Sequence, residues 1–244
     1  MSKHVVVTGG GTGVGADIAR QFTKAGYQVT IMGRTETTLK AQNLPYQICD
    51  VTDAQSVTDA FAAARKDFGP IGVVIANAGA ATSKPFSKMV AADLTKMFDV
   101  NVTGVFNVWQ AALADMKAAE TGRLIAIAST AGLKGYPYVA GYCAAKHGVI
   151  GLTRALSLEL AMTGITVNAI CPGFIETPML ERSIANIVEK TGASAQDAAK
   201  SLKKGNPQRR FIQTDEVAST ALWLCSEGAR SVNGHALSLS GGEI

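Results

Sequence analysis

Val5-Val6-Val7-Thr8-Gly9-Gly10-Gly11-Thr12-Gly13-Val14-Gly15 joins a short β-branched run to a glycine-rich turn and the start of an amphipathic segment. Glycine tolerates positive φ angles and lets the backbone approach a ligand closely. Residues 14–25 carry Ile18 and Phe22 at helical spacing, and Gly26 ends the segment. The first N–H groups of such a helix favour an anion, so the stretch predicts a buried strand, a phosphate-binding turn and a helix.

Apolar runs alternate with helical patterns along the rest of the chain. The predicted strands are 5–7, 28–32, 46–49, 71–76, 123–128, 165–171 and 235–239, and the predicted helices are 14–25, 35–42, 53–68, 91–116, 139–162 and 214–226. The strands are continuous apolar runs, as is typical of strands covered on both faces. The pattern predicts an α/β fold, a doubly wound, Rossmann-like parallel sheet of about seven strands, forming a single domain over 1–244. Ligands in such sheets bind beyond the carboxyl ends of the strands.

Composition narrows the class of protein. The chain has 244 residues, 47% of them hydrophobic, and a net charge of +4, which excludes a disordered chain. It has no apolar run of the roughly 18 residues that a membrane helix needs, and the apolar run near its start is too short for a signal peptide. The four cysteines form no C-x-x-C pair, so we expect reduced thiols and a cytoplasmic location. The small positive charge gives no reason to expect nucleic acid as a partner, and the isolated residues His4, His147 and His235 offer no metal site.

Residues 174–213 interrupt the rhythm, because about forty residues pass without a strand. The segment predicts either a substrate lid or a disordered insertion. Its part 179–188 has an apolar stripe at helical spacing, which fits a lid that closes on an apolar substrate or a helix that packs on the body. Basic residues near its end either attract the phosphates of a thioester carrier or form a solvated surface; they are Lys200, Lys203, Lys204, Arg209 and Arg210.

Three motifs together carry a family resemblance. They are Gly9-x-x-x-Gly13-x-Gly15 after the first strand, Asn77-Ala78-Gly79 after the fourth, and Tyr142-x-x-x-Lys146 in a predicted helix. In this order and spacing the chain resembles the short-chain dehydrogenase/reductase family, from Thr8 to Gly241-Gly242. The resemblance implies an oxidoreductase that transfers hydride between a nicotinamide dinucleotide and a carbonyl or secondary alcohol, without a metal.

The predicted catalytic residues are Ser129, Tyr142, Lys146 and Asn101. Tyr142 and Lys146 are four residues apart, so their side chains share a helix face. A free tyrosine has a pKa near 10, and we expect the neighbouring ammonium to lower it, which makes the phenol a proton donor and acceptor. Without the other motifs, Tyr142 and Lys146 would also fit the exposed face of an ordinary helix. The resemblance implies that Ser129 donates to the substrate oxygen and that Asn101 holds a water in a proton relay.

The resemblance also implies the residues that bind the dinucleotide. They are Gly9, Thr12, Gly13, Val14, Gly15, Arg34, Asp50, Val51, Asn77, Gly79, Tyr142, Lys146, Pro172, Gly173, Ile175 and Thr177. Gly33 stands where NAD-preferring relatives carry Asp, and the Arg34 guanidinium can pair with a 2′-phosphate, so NADP is favoured over NAD. Against NADP, Thr12 stands where many NADP-using relatives add a basic residue. Asp50 fits either the adenine side of the site or the cap of the next helix.

Substrate contacts are predicted from Ser129, Tyr142, Leu133, Tyr136 and Phe174, by their positions after the fifth and sixth strands. The leading function is reduction of a 3-oxoacyl thioester of CoA or acyl-carrier protein, or oxidation of a 3-hydroxyacyl thioester. The alternative is a secondary-alcohol, polyol or cyclic-alcohol dehydrogenase. A non-catalytic dinucleotide sensor is a less favoured alternative. The glycine spacing and the chain length argue against a sugar-nucleotide epimerase. The resemblance further implies a homotetramer paired partly through helices 91–116 and 139–162.

Overall fold

A computed structural model describes residues 2–244 and shows a seven-stranded sheet. Its strands are β1 His4–Thr8, β2 Gln28–Gly33, β3 Tyr46–Ile48, β4 Ile71–Ala76, β5 Gly122–Ile127, β6 Ile165–Pro172 and β7 Ala236–Leu239. They lie in the order β3-β2-β1-β4-β5-β6-β7, and every neighbouring pair is parallel. The predicted doubly wound parallel sheet is confirmed, and each strand lies within one residue of its predicted bounds.

The order of the strands places a crevice in the middle of the sheet. The strand β1 has β2 on one side and β4 on the other, so the order reverses between β1 and β4. All residues of β1, β4 and β5 are buried, because helices cover both faces. The loops that follow these strands meet at the carboxyl edge, where sheets of this type bind ligands.

Nine helices pack around the sheet in the described residues 2–244. They are α1 Gly13–Lys24, α2 Glu36–Lys40, α3 Ala54–Phe68, α4 Ala91–Phe98, α5 Gly104–Ala118, α6 Ala140–Glu159, α7 Pro178–Thr191, α8 Ala195–Lys203 and α9 Thr214–Leu224. The helices α1 and α9 bury their apolar stripes in the core on one face of the sheet, and α3, α5 and α6 bury theirs on the other. The Asp53 side chain caps α3 by accepting hydrogen bonds from the N–H groups of Gln55 and Ser56.

The predicted helix 91–116 is helical throughout, but it is not a regular α-helix along its whole length. The chain forms α4, then a π-helical turn at Asp99–Thr103, then α5. The Asn101 side chain is part of the reason, because its amide Nδ2 donates to the carbonyl oxygen of Met97, 3.0 Å away and four residues earlier. Local widening of this kind marks functional positions in many helices.

The excursion 174–213 is ordered as two helices, so the expectation of a disordered insertion is wrong. The helix α7 includes the predicted apolar stripe, whereas α8 was not predicted. The two ends of the excursion are joined to each other. Ile175 and Ile212 form an isolated parallel bridge, and the N–H of Glu176 donates to the Ile212 carbonyl oxygen at 3.0 Å. Within residues 2–244, no helix has the length and apolar character that a membrane crossing requires.

Candidate active site

The glycine-rich turn is shaped by two glycines in the left-handed region. Gly9 has φ +64° and Gly13 has φ +53°, both unfavourable for residues with a side chain. A Cβ atom on Gly15 would lie 2.4 Å from the carbonyl oxygen of Gly9, so α1 crosses the turn at a distance that excludes even alanine. In the described chain, α1 has no acidic residue in its first turn and no side-chain cap from Thr12. The helix start thus remains open to an anionic ligand. The Val14 side chain is buried in the core, so this residue offers a ligand its backbone N–H.

The loop after β4 is fastened to this turn by hydrogen bonds. The Thr8 hydroxyl oxygen accepts from the backbone N–H groups of Asn77 and Ala78, both at 3.1 Å. The Asn77 amide nitrogen donates to the carbonyl oxygen of Thr8 at 2.9 Å. The motif 77–79 therefore sets the position of the glycine-rich turn, as well as bordering it.

Tyr142 and Lys146 lie together on α6, as predicted. The Lys146 ammonium is 5.7 Å from the centre of the Tyr142 ring, and it donates to the carbonyl oxygen of Ile127 at 2.9 Å. The Lys146 residue is only 4% exposed. The strand β5 therefore fixes the lysine, and the lysine lies under the tyrosine ring.

The acidity of this pair differs from the sequence-based expectation. Burial raises the pKa of Tyr142 to about 12, and a hydrogen bond with the Ser129 side chain lowers it by a smaller amount. Burial also lowers the pKa of Lys146 to about 8. The expectation that the ammonium brings the Tyr142 pKa below its ordinary value is wrong for this structure, because desolvation of the phenolate outweighs the favourable contacts.

Ser129 follows β5 and faces the tyrosine. Its side-chain oxygen accepts a hydrogen bond from the N–H of Ala131 at 3.1 Å, which caps the short 3₁₀ turn Thr130–Gly132. Because the oxygen is the acceptor in that bond, the hydroxyl proton of Ser129 is left for its hydrogen bond with Tyr142, or for a substrate oxygen that takes that place.

Asn101, in the π-helical turn, lies close to Gly79 and Lys146. Its amide nitrogen donates to the carbonyl oxygen of Ala80 at 2.9 Å, in addition to Met97. A Cβ atom on Gly79 would lie 2.9 Å from Asn101 Oδ1 and 3.7 Å from Lys146 Nζ. The three residues thus adjoin one another, and glycine at position 79 keeps the space between them open.

The loop after β6 returns to the glycine-rich turn. It begins at Pro172, where β6 ends, and the N–H of Gly173 donates to Leu239 at 3.0 Å. The Thr177 side chain caps α7 by accepting from the N–H of Leu180, and its methyl group lies 3.4 Å from a Cβ built on Gly13. The predicted contacts 172–177 and 9–15 therefore border one crevice.

The adenine side of the predicted site carries a cation and a carboxylate that face each other. Arg34 Nη1 is 3.8 Å from Asp50 Oδ2, and the Arg34 side chain is 72% exposed. Backbone and side-chain hydrogen bonds from Thr52 hold the pKa of Asp50 below its ordinary value, with a smaller effect from Arg34. Since Asp53 caps α3, Asp50 is not the cap. Val51 is buried, and its carbonyl oxygen accepts from Asn107 at 2.9 Å.

On the predicted substrate side, the Tyr136 hydroxyl is already engaged. It lies 2.7 Å from the Thr130 hydroxyl and donates to the Glu243 carboxylate at 2.9 Å. Burial raises the pKa of Tyr136, which keeps it a neutral donor. Its ring meets Phe174 edge to face, with centroids 6.3 Å apart. The ring remains a candidate wall of the substrate site. Glu243 was missed by sequence reasoning, because a contact across 107 positions leaves no local signal.

The basic residues near the end of the excursion do not form one free cluster. Arg210 is paired with Glu216 through both of its terminal nitrogens. The Lys203 ammonium lies 4.7 Å from the centre of the Phe211 ring, and Arg209 donates to the carbonyl oxygen of Lys204.

Leu133, a predicted substrate contact, is partly buried against the core beside the 3₁₀ turn. Within residues 2–244, no group of three or more His, Cys, Asp or Glu side chains could hold a metal ion.

Comparisons with known proteins agree with this geometry. Residues 3–188 match a family model described as short chain dehydrogenase. Acetoacetyl-CoA reductase of Rhizobium meliloti (strain 1021) is 34% identical, covering 100% of this chain and 99% of its own length. The 3-oxoacyl-[acyl-carrier-protein] reductase MabA of Mycobacterium bovis is 33% identical, covering 99% of this chain and 93% of its own.

Solved structures give the same result. Actinorhodin polyketide ketoreductase, solved with NADPH, superposes with a TM-score of 0.94 at 36% identity, covering 99% of this chain and 97% of that one. Levodione reductase superposes with a TM-score of 0.94 at 30% identity, covering 100% and 98%. On its fold, its motifs and these matches, the chain belongs to the short-chain dehydrogenase/reductase family and is an enzyme of the oxidoreductase class.

Proposed function

We propose that the chain is an NADP(H)- or NAD(H)-dependent reductase of 3-oxoacyl thioesters, with 3-hydroxyacyl oxidation as the reverse reaction. The observation that carries this proposal is the meeting of Ser129, Tyr142 and Lys146 beside the glycine-rich turn. The substrate class is supported by relatives that are named for acetoacetyl-CoA and for 3-oxoacyl groups on acyl-carrier protein.

The residues around the turn fit a nicotinamide dinucleotide. An open helix start, two glycines at positive φ and the neighbouring Thr177 together form a cradle that side chains would fill. We propose that this turn holds the pyrophosphate and that the segment 172–177 orients the nicotinamide. When bound, the dinucleotide supplies the hydride that adds to the substrate carbonyl carbon. We further propose a preference for NADP(H), since the exposed Arg34 guanidinium is free on its outer side to pair with a 2′-phosphate.

Ser129 and Tyr142 carry the proton chemistry in this proposal. The Ser129 hydroxyl donates to the carbonyl oxygen and stabilises the negative charge that develops there. The Tyr142 phenol gives its proton to the same oxygen. A pKa of about 12 keeps Tyr142 protonated at neutral pH, so the phenol has a proton to give.

Lys146 and Asn101 complete the proposed proton path. With its pKa lowered to about 8, Lys146 holds its proton less firmly than a surface lysine. We propose that it returns a proton toward Tyr142, and that Asn101 Oδ1, across the gap left by Gly79, positions a water for its reprotonation.

A substrate panel tests the proposed function. Oxidation of NADPH and of NADH is measured with 3-oxoacyl thioesters of CoA and of acyl-carrier protein, with cyclic ketones and with oxidised polyols. We expect the highest kcat/KM for a 3-oxoacyl thioester with NADPH. A higher kcat/KM for a cyclic ketone or an oxidised polyol would contradict the substrate class. Dinucleotide binding without turnover of any ketone would favour a sensor.

The excursion 174–213 is proposed to act as a substrate lid. Leu180 is the buried residue of α7 and Ala198 is the buried residue of α8, so the pair is attached to the body over a small area. Movement of such weakly attached helices over a site is a common way to exclude water. Hydrogen exchange across 178–203 that slows when both dinucleotide and substrate are bound is the expected result.

We also propose a homotetramer in the cytoplasm. Apolar side chains on or beside α5 and α6 are exposed in the single chain, among them Phe106, Leu158 and Met162, the last at 98%. All four cysteines are free and buried, which accords with a reducing compartment. Sedimentation equilibrium is expected to give four times the chain mass, and a monomer would contradict this part.

A further inference from the structure

Glu243 is a buried carboxylate outside the predicted catalytic group. Its side chain is 6% exposed. Its Oε1 atom accepts a hydrogen bond from the Tyr136 hydroxyl at 2.9 Å and forms an ion pair with the Lys134 ammonium at 2.7 Å. A buried carboxylate is costly unless it is paired and hydrogen-bonded, and Glu243 has both kinds of contact.

Three segments that border the predicted substrate site converge on this carboxylate. The segment 130–136, which follows Ser129, supplies both donors. The loop after β6 approaches from another side, since a Cβ on Gly173 would lie 3.7 Å from Glu243 Oε2. The end of the excursion approaches from a third, since a Cβ on Gly205 would lie 2.8 Å from Oε1. Glycine at position 205 therefore allows the excursion to close against Glu243.

The neighbouring residues strengthen the connection to the excursion. Asn206 is buried, and a Cβ on Gly241 would lie 2.1 Å from its Oδ1, so the backbone of 241–244 passes directly against it. The Asn206 amide also donates to the carbonyl oxygen of Arg210 at 3.0 Å. Residues 241–244 thus hold the returning end of the excursion in place.

The hydrogen bond to Glu243 also fixes the position of the Tyr136 ring. The hydroxyl is bound between Thr130 and Glu243, and the Lys134 ammonium lies 5.0 Å from the ring centre. With its polar end fixed in this way, the ring can present only its apolar faces and edges, one of which meets Phe174. The carboxylate therefore orients an aromatic wall that contains no free hydroxyl.

We propose that Glu243 is a specificity-determining positioning residue, whose carboxylate holds the Tyr136 ring and the end of the excursion as one wall of the acyl site. It acts through Tyr136 and not on the reacting atoms. The inference rests on the proposed function for its substrate, but the link between Glu243 and the excursion does not depend on which ketone is reduced.

The test compares Glu243→Ala and Glu243→Gln with Tyr136→Phe, and uses Glu227→Ala as the control. Glu227 is an exposed carboxylate in the 3₁₀ turn that precedes β7, whereas Glu243 follows the other end of that strand. Loss of a charge-assisted hydrogen bond predicts that Glu243→Ala raises KM for the thioester on the order of tenfold, with dinucleotide Kd unchanged. Glu243→Gln keeps an acceptor for Tyr136 and is expected to show a smaller rise. Should the alanine variant not fold, the glutamine variant decides the question.

A double variant distinguishes positioning from a general loss of stability. If Glu243 acts through Tyr136, then Tyr136→Phe combined with Glu243→Ala raises KM no further than Glu243→Ala alone. Additive effects, or a KM in Glu243→Ala equal to that of the control, would overturn the proposal.

Hydrogen exchange separates this inference from the proposed function. If the wild-type enzyme reduces no 3-oxoacyl thioester, the proposed function fails, while exchange across 200–212 still tests the contact. Faster exchange there in Glu243→Ala than in Glu227→Ala supports the inference, and equal exchange in the two variants overturns it.

Discussion

Thr8 offers a sharp test of how the site is held together. It ends β1 with its side chain buried, at 1% exposed, and its hydroxyl oxygen accepts from the backbone N–H groups of Asn77 and Ala78. Thr8→Val keeps the β-branched shape and removes that acceptor, so both N–H groups lose their partner.

The expected cost follows from the burial of these groups. An unsatisfied buried donor costs about 1–3 kcal/mol, and Asn77 and Ala78 are only half-buried, so the lower part of that range applies to each. We expect Thr8→Val to lower the free energy of unfolding by about 2–4 kcal/mol. Because the lost bonds join 77–79 to the glycine-rich turn, dinucleotide affinity is expected to fall as well.

Thr166 in β6 provides a matched control, for which we do not expect the free energy of unfolding to fall. It is also buried, and its hydroxyl has no hydrogen-bond partner within residues 2–244. Thr166→Val removes an unsatisfied polar atom, so we expect no loss of stability or a gain of up to about 1 kcal/mol. Urea unfolding at one protein concentration and titration with NADPH measure both quantities. Equal losses in the two variants would refute the reasoning.

Three further predictions concern the turn, the cofactor preference and pH. Gly15→Ala places a methyl group 2.4 Å from the Gly9 carbonyl oxygen, and titration is expected to show dinucleotide Kd raised by about tenfold or more; an unchanged Kd would contradict the close crossing. Arg34→Ala is expected to raise KM for NADPH about tenfold, with little change for NADH; steady-state kinetics with equal effects on both would remove the 2′-phosphate assignment. Burial lowers the pKa of His4 below 6.5, so the unfolded chain binds the proton more readily; urea unfolding should show stability falling as pH drops below 6.5, and His4→Gln should lessen that fall.

Much of the fold follows from local pattern. The strands were predictable because β-branched, continuously apolar runs such as 71–76 leave few alternatives between turns. The cap of α3 was left open, because Asp50 also fitted that role in the sequence, and the structure assigns the role to Asp53. The π-helical turn at 99–103 could not be predicted, because it involves an Asn101 side chain that bonds to Ala80, a partner from another loop.

The candidate site likewise has features that the sequence predicts and features that depend on the tertiary structure. Spacing on one helix brought Tyr142 and Lys146 together, and the structure places Ser129 and Asn101 beside them, while their catalytic roles stay predictions. The acidity of Tyr142 was predicted in the wrong direction, because sequence shows the nearby ammonium but not the extent of burial. The Glu243 contact depends on the tertiary fold alone.

The central claim is that Tyr142 passes a proton to the substrate oxygen. The most direct measurement is the turnover of the best ketone by Tyr142→Phe, with NADPH Kd measured on the same protein. The phenyl ring keeps the shape and loses the proton, so turnover should fall by about 10²–10⁴-fold while Kd stays unchanged. Turnover close to that of the unaltered enzyme, at unchanged Kd, would contradict the account.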